Sequence, residues 1–337
     1  MDTSNASNLL GNSSARGMKV STSHVFTVCL VSVSFLIGTT MNGLFLWVLG
    51  AKLKRTVNTL WFLHLILTHL ISTLFMPFFV AYILLDSHWP FGMFLCKLLN
   101  FFGSLAMFTV VFLLTIISLD RYLLICHPIW SQCNRTIPRA RRVTIGAWLI
   151  SFAFSTPYLF FRETREVEGK VRCVNNYAFS GNWEGVEMQA FRGHIHLVFI
   201  VFRFLLAFLV PLFIITGCYY SIGLEMKKKR LTRTGKPFKV LTASVVSFFI
   251  CWLPYHLNQA SQVFWPSELA IKVLQLVSLI GLCLSFCFTP ILYLFVGEKF
   301  QQVFKTSVLA LLQKGFADAS TIPEGNSSPS KEVHHRV

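Results

Sequence analysis

Seven separate stretches of this chain are each long and apolar enough to cross a lipid bilayer, at residues 26–49, 59–84, 98–125, 143–161, 195–222, 240–264 and 273–296. A bilayer core of about 30 Å needs roughly 20 apolar residues per helical span. Inside it every backbone amide must find its partner within the protein, which leaves helices as the economical solution for such runs. The charged residues fall in short blocks between the runs, and 54% of the chain is hydrophobic. The predicted fold is therefore all-α, a bundle of seven transmembrane helices in one domain over 26–296. It follows a polar segment at 1–25 and precedes an amphipathic segment at 297–314 and a disordered tail at 315–337. Pro77, Pro157, Pro211, Pro254 and Pro290 lie inside spans and predict kinks, since proline removes an amide donor and crowds the preceding turn.

Basic residues in short loops orient such a bundle. Segments 51–58, 122–142 and 225–238 hold thirteen Lys and Arg, and the alternate segments 86–97, 162–194 and 265–272 hold seven. The first set is expected on the cytoplasmic side of the plasma membrane, with the N-terminus outside and the C-terminus inside. The N-terminal segment lacks the basic-then-apolar pattern of a cleaved signal peptide, so the first span is expected to act as its own insertion signal. Sequons at Asn5 and Asn12 would then be open to glycosylation, while those at Asn134 and Asn326 would stay unmodified inside. The net charge of +16 is accounted for by inner loops facing anionic membrane lipids, with no nucleic-acid partner.

Of nine cysteines, most lie within spans as small apolar fillers. Cys96 and Cys173 both fall on the predicted oxidising side, and a disulfide between them is expected to pin the long loop over the bundle. No catalytic set, cofactor motif or metal-ligand cluster is present, which argues against an enzyme. A transporter or channel is disfavoured because Arg203, His69 and His256 are too scattered for an ion relay and the spans show no internal repeat.

Short motifs recur one per helix: "GTTMNG" with Asn42, "DRY" at Asp120, Arg121 and Tyr122 followed by "LLICHP", Trp148, Pro211 with Tyr219, "CWLPY" around Trp252 and Pro254, and "TPILY" with Pro290 and Tyr293. In this order they resemble the rhodopsin-like G-protein-coupled receptors. The resemblance implies that Asp120 holds Arg121 at rest and releases it toward a heterotrimeric G protein. It also implies that Phe248, Trp252 and Pro254 form an aromatic ladder over a kink that turns the inner half of the sixth helix. Phe295, Phe300, Val303, Phe304, Leu311 and Leu312 recur at helical spacing with Lys299, Lys305 and Lys314 beside them, which suits a helix on the inner membrane surface. No cysteine follows Cys287, which excludes a palmitoyl anchor on 297–337. Tail serines and threonines are candidate sites for receptor kinases and arrestin, or simply part of a polar tail.

"RFLLAFLVP", "DSHWPFG" and "TVNTLWFLHLILTHLISTLFMPFF" resemble the chemoattractant group of that family, which includes receptors for formyl peptides, complement anaphylatoxin and chemerin. This implies an extracellular peptide or lipid acid as ligand and coupling to an inhibitory G protein. A scavenger that internalises ligand without signalling is the alternative. Arg203 is placed at pocket depth, either gripping an anionic group with its planar fork or snorkelling to the interface. Phe102, Met107, Tyr255, His256, Gln259 and Leu282 are the other candidate ligand-binding residues. Five positions depart from the relatives. Ser104 and Phe199 replace an acid and a second arginine of formyl-peptide receptors, and Gly103 replaces the aspartate of amine receptors, so neither ligand type is expected. His69 stands where an aspartate binds sodium, and Thr289 where asparagine is usual. A histidine is a poor ligand for a hard cation, so sodium control is expected to be weak, with His69 neutral and satisfied by Ser285 or Thr289.

Overall fold

Pro77, Pro157 and Pro211 each stand in the first turn of a new helical segment, so three of the spans are built in two pieces. Proline at that position forfeits an amide that would have had no partner in any case. The computed structural model describes residues 22–85, 87–177, 186–229, 236–264, 267–293 and 298–320; for 22–23, 186–189, 236–241, 288–293, 298–300, 312 and 314–320 the backbone alone is described. The first span is α1 (Thr22–Trp47), continued by a π-turn at Val48–Lys52. The second is α2 (Val57–Leu74) and α3 (Met76–Leu84), and the third is α4 (Gly92–Cys126). A short α5 (Pro128–Asn134) leads into the fourth, α6 (Ile137–Ser155) with α7 (Pro157–Phe161). The fifth is α8 (Val186–Phe204), a π-turn at Leu205–Leu209, and α9 (Val210–Lys228). Then come α10 (Lys236–Phe264), α11 (Glu268–Tyr293) and α12 (Glu298–Ser320), the last running past the boundary expected at residue 314.

Among the described residues, six helical spans are long and apolar enough to cross a membrane. The remaining one, α10, is 29 residues long and carries Pro254, Tyr255, His256, Asn258 and Gln259 in its second half. Polarity is distributed as a bilayer requires. Leu36, Leu149, Phe213 and Ile250 are each more than 60% exposed on the outside of the bundle, while Asn42, Thr109, Ser118 and Ser151 are fully buried within it. The buried hydroxyls of Thr144, Ser151 and Ser155 donate to the carbonyl four residues earlier, at 2.8–2.9 Å. That satisfies them within the helix and leaves α6 a face of small residues along which α4 packs.

The centre of the bundle is α4, in contact with α2, α6, α7, α9 and the first strand of the loop above it, Arg162–Val167. Its core partners include Phe45, Leu65, Phe208, Phe248 and Trp252. Helices α10 and α11 approach closely at Gly281, where an added Cβ would stand 2.3 Å from the carbonyl oxygen of Cys251. Phe304 of α12 packs 4.7 Å from Phe45, so the buried face of that helix docks on the end of the first span.

One element lies outside the all-α expectation. Arg162–Val167 (β1) and Lys170–Asn175 (β2) pair antiparallel, with Val167 opposite Lys170. Glu168 and Gly169 both have positive φ, at 54° and 74°, which matches the twist of a two-residue hairpin turn. The alternating "RETREVEGKVRCVN" was the available sequence signal. The expected disulfide joins Cys173 of β2 to Cys96 of α4, with Cα atoms 5.7 Å apart. The hairpin is thereby held over one end of the bundle.

Candidate functional site

Beneath the hairpin the helices enclose a cavity of about 290 Å³. Arg203, in the last turn of α8, lines it. The π-turn that follows holds one residue more per turn than an α-turn, so it re-phases α8 relative to α9. In that phase the Arg203 guanidinium lies 4.8 Å from the centre of the Tyr158 ring and 5.6 Å from that of Tyr255, and Nη1 donates to the Tyr255 hydroxyl. It does not snorkel to the interface.

A second arginine reaches the same cavity. Arg162 opens β1, and its Nη1 donates to the Cys173 carbonyl at 3.3 Å while its Nε is buried with no hydrogen-bond partner among the described residues. Burial lowers its pKa from the ordinary arginine value, opposed by the nearby hydroxyls of Tyr177, Tyr255 and Tyr82. Tyr177 also lines the cavity, stacked on Phe199 at 5.6 Å and His196 at 5.3 Å, and burial pushes its phenol up to about 12, against the pull of Arg162. It is therefore a neutral hydroxyl at physiological pH. Among the described residues neither Arg162 nor Arg203 has a carboxylate partner. Two guanidiniums without counter-charge in a largely apolar enclosure favour an anion, because an unpaired buried charge is unstable and a planar fork suits carboxylate.

Met107, Tyr255, Gln259 and Leu282 line the cavity with Arg203, as expected from the sequence. Phe102 and His256 do not. Phe102 stacks on Phe75 at 5.4 Å and meets Phe101 edge-on, and His256 is buried among Phe204, Phe208 and Tyr255. Both sit one position off the inward-facing side of their helices, a distinction that one-turn spacing does not resolve. Arg162, Tyr177, His196 and Tyr158 were missed because three of them hang on the hairpin, its exit or the helix break at Pro157. His69 lines the cavity too, and its Nδ1 has no hydrogen-bond partner among the described residues. The side chains of Thr289, Pro290 and Tyr293 lie outside the described set, as do Asn5, Asn12 and Asn326. Among the described residues no group of three or more potential metal ligands occurs.

From the cavity an aromatic path descends α10. Tyr255 meets Trp252 with ring centres 5.6 Å apart, and Trp252 meets Phe248 at 5.6 Å, with Pro254 inside the helix beside them. At the opposite end of the bundle Tyr219 packs at the margin of the core and the Tyr122 hydroxyl is 3.1 Å from Nε2 of His127. The expected pairing of Asp120 with Arg121 is replaced by another arrangement. Arg135 takes both Asp120 oxygens, at 2.7 and 3.0 Å, and Arg121 donates to Oδ1 of Asn58 at 2.9 Å. Adjacent residues on a helix point about 100° apart, so Asp120 and Arg121 address different neighbours.

A seven-helix membrane bundle with an enclosed cavity at one end, and a continuous aromatic path from it toward an ionic cluster at the other, is the architecture of a transmembrane receptor. The chain belongs to the 7 transmembrane receptor (rhodopsin family), whose profile matches residues 41–293. It is a multi-pass membrane receptor and not an enzyme. It is 46% identical to Probable G-protein coupled receptor 33 of Homo sapiens, over 94% of this chain and 95% of that protein. It is 45% identical to Probable G-protein coupled receptor 33 of Rattus rattus, over 86% and 85%, and 35% identical to Chemerin-like receptor 1 of Mus musculus, over 93% and 84%.

Proposed function

We propose that this receptor recognises an extracellular acid, peptide or lipid, whose carboxylate lies between Arg162 and Arg203, and that it activates a heterotrimeric G protein of the inhibitory class. The observation that carries the reading is the pair of guanidiniums facing one cavity with no carboxylate partner among the described residues. The excess of Lys and Arg in segments 51–58, 122–142 and 225–238 supports a hairpin end that faces outside, where Asn5 and Asn12 would carry glycans. Ligand bound at Arg203 bears on Tyr255, and through Trp252 and Phe248 on the inner half of α10, which supports transmission by helix movement. Tail serines and threonines then face receptor kinases and arrestin.

The test is inhibitory G-protein dissociation in cells expressing the chain, challenged with chemoattractant peptides and lipid acids alongside their amides and esters. Activity of the acids alone, lost in Arg162→Gln and Arg203→Gln at equal surface expression, is expected, with Arg121→Ala abolishing signal but not binding. Equal responses to acid and amide, or in both arginine variants, would overturn the anion reading. Ligand-driven uptake with no G-protein signal would mark the receptor as a scavenger.

A further inference from the structure

Val171 ties the edge of the hairpin to the loop between α3 and α4. The Trp89 amide donates to the Val171 carbonyl at 2.7 Å, and the Val171 amide donates to Nδ1 of His88 at 3.2 Å. Both backbone groups of Val171 are free for this because it stands opposite Glu166, one step inside the turn-closing pair of Val167 and Lys170. Alternate pairs of an antiparallel ladder turn their amides and carbonyls outward. The loop presents the imidazole from a fixed base. Ser87 has a φ of 64°, uncommon for a residue other than glycine, and the amides of Ser87 and His88 donate back to the carbonyls of Tyr82 and Leu85 at 2.9 and 3.1 Å. Trp89 is buried, and its indole donates to the Gly92 carbonyl at 2.9 Å.

The two anchors on Val171 differ chemically. A backbone amide can only donate, so Nδ1 of His88 must accept, which requires the neutral imidazole with its proton on Nε2. In the imidazolium both nitrogens carry hydrogen, and two donors would face each other across the gap. The Trp89 anchor has no such dependence. His88 is half-buried, within reach of protons from solvent, and histidine is the side chain whose charge changes nearest neutral pH. The titratable groups on the surrounding elements are Glu166 of β1, on the same face as Val171, Lys170 and Arg172 of β2, which strand alternation turns to the other face, Tyr82 of α3, whose ring meets Trp89 at 6.1 Å, and Lys97 near the start of α4. Asp86 lies outside the described residues. Loss of the His88 anchor would not lift the whole hairpin, because the disulfide holds β2 at Cys173, two residues further on. It would free the turn end, Val167 to Lys170, to swing about that pivot over the cavity. We propose that His88 is a proton-operated latch on the hairpin, closed while the imidazole is neutral and released as the medium on that face turns acidic. The latch requires no particular ligand and goes beyond the function proposed above.

The experiment is amide hydrogen exchange at single-residue resolution on the purified full-length receptor in lipid nanodiscs, corrected for the intrinsic effect of pH on exchange. Between about pH 7.5 and about pH 5.5, the range in which histidine changes charge, the Val171 amide is expected to lose protection about tenfold, the value of one hydrogen bond. The amides of Arg165 and Arg172, paired with each other inside the ladder, keep theirs. His88→Asn puts an oxygen that accepts at every pH close to the place of Nδ1, so Val171 stays protected at both pH values. His88→Phe has no acceptor, and Val171 is weakly protected at both. Equal protection of the wild-type Val171 amide at the two pH values would overturn the latch. So would a loss that persists in His88→Asn, and if Glu166→Gln then removed that loss the responsible proton would belong to Glu166.

Discussion

Arg135, the residue closing α5, holds the Asp120 carboxylate with Nε and Nη2 at 2.7 and 3.0 Å. Asn58 accepts from Arg121 and from Arg135 alike, so the short loop helix, α2 and α4 are tied through one cluster. Asp120 is 9% exposed and Arg135 22%, so the full value of a buried pair is discounted for solvent, to about 1 kcal/mol. Arg135→Gln is expected to raise ligand-independent nucleotide exchange roughly fivefold, read as basal GTPγS loading in membranes. Unchanged basal loading would show that the cluster does not restrain the resting state.

Tyr255 orients Arg203 by accepting from its Nη1 while its ring lies beside the guanidinium. Tyr255→Phe keeps the ring and deletes the hydroxyl, so a loss of roughly two- to tenfold in acid potency is expected, the range for one hydrogen bond. Arg203→Gln, which deletes the charge, should lose more, roughly 10- to 150-fold. Concentration–response curves at matched surface expression order the two.

The disulfide acts on the site through Arg162. Cys173 offers its carbonyl to Arg162 and its sulfur to the Asn100 amide, at 3.3 and 3.4 Å. Cys173→Ser is expected to lower stability by about 2–5 kcal/mol and to weaken acid binding at least as much as Arg162→Gln. Thermal unfolding and ligand affinity on the same preparation measure the two effects separately.

Gly281 allows α11 to approach the Cys251 carbonyl of α10. In Gly281→Ala the new methyl meets backbone, which cannot swing aside as a side chain would. A destabilisation of about 1–3 kcal/mol is expected, the range for an overfilled contact, seen as a lower unfolding temperature.

His69 supplies a nitrogen where an oxygen ligand would serve sodium, and it stands buried against Phe286. Replacing sodium by choline at constant ionic strength is expected to leave agonist affinity unchanged. A sodium-dependent fall that His69→Ala removes would contradict this.

Hydrophobic run length and the placement of Lys and Arg are one-dimensional quantities, and they were enough to find the seven spans, the proline breaks at 77, 157 and 211, and the cysteine pair of the hairpin. The resemblance to the receptor family also pointed to Met107, Tyr255, Gln259 and Leu282, which line the cavity. What sequence could not fix was the partner of each polar group. Whether His256 or Tyr255 faces the cavity depends on the local rotation of α10, and the inward turn of Arg203 depends on an extra residue in the π-turn after it. Arg162 enters the site because a two-residue hairpin folds back and a disulfide holds it there, and Asp120 meets Arg135 because α5 returns the chain to α4 fifteen residues later. The bilayer dictates the spans from composition alone, whereas the pairing of charges inside them is decided only when the packed helices bring distant residues into contact.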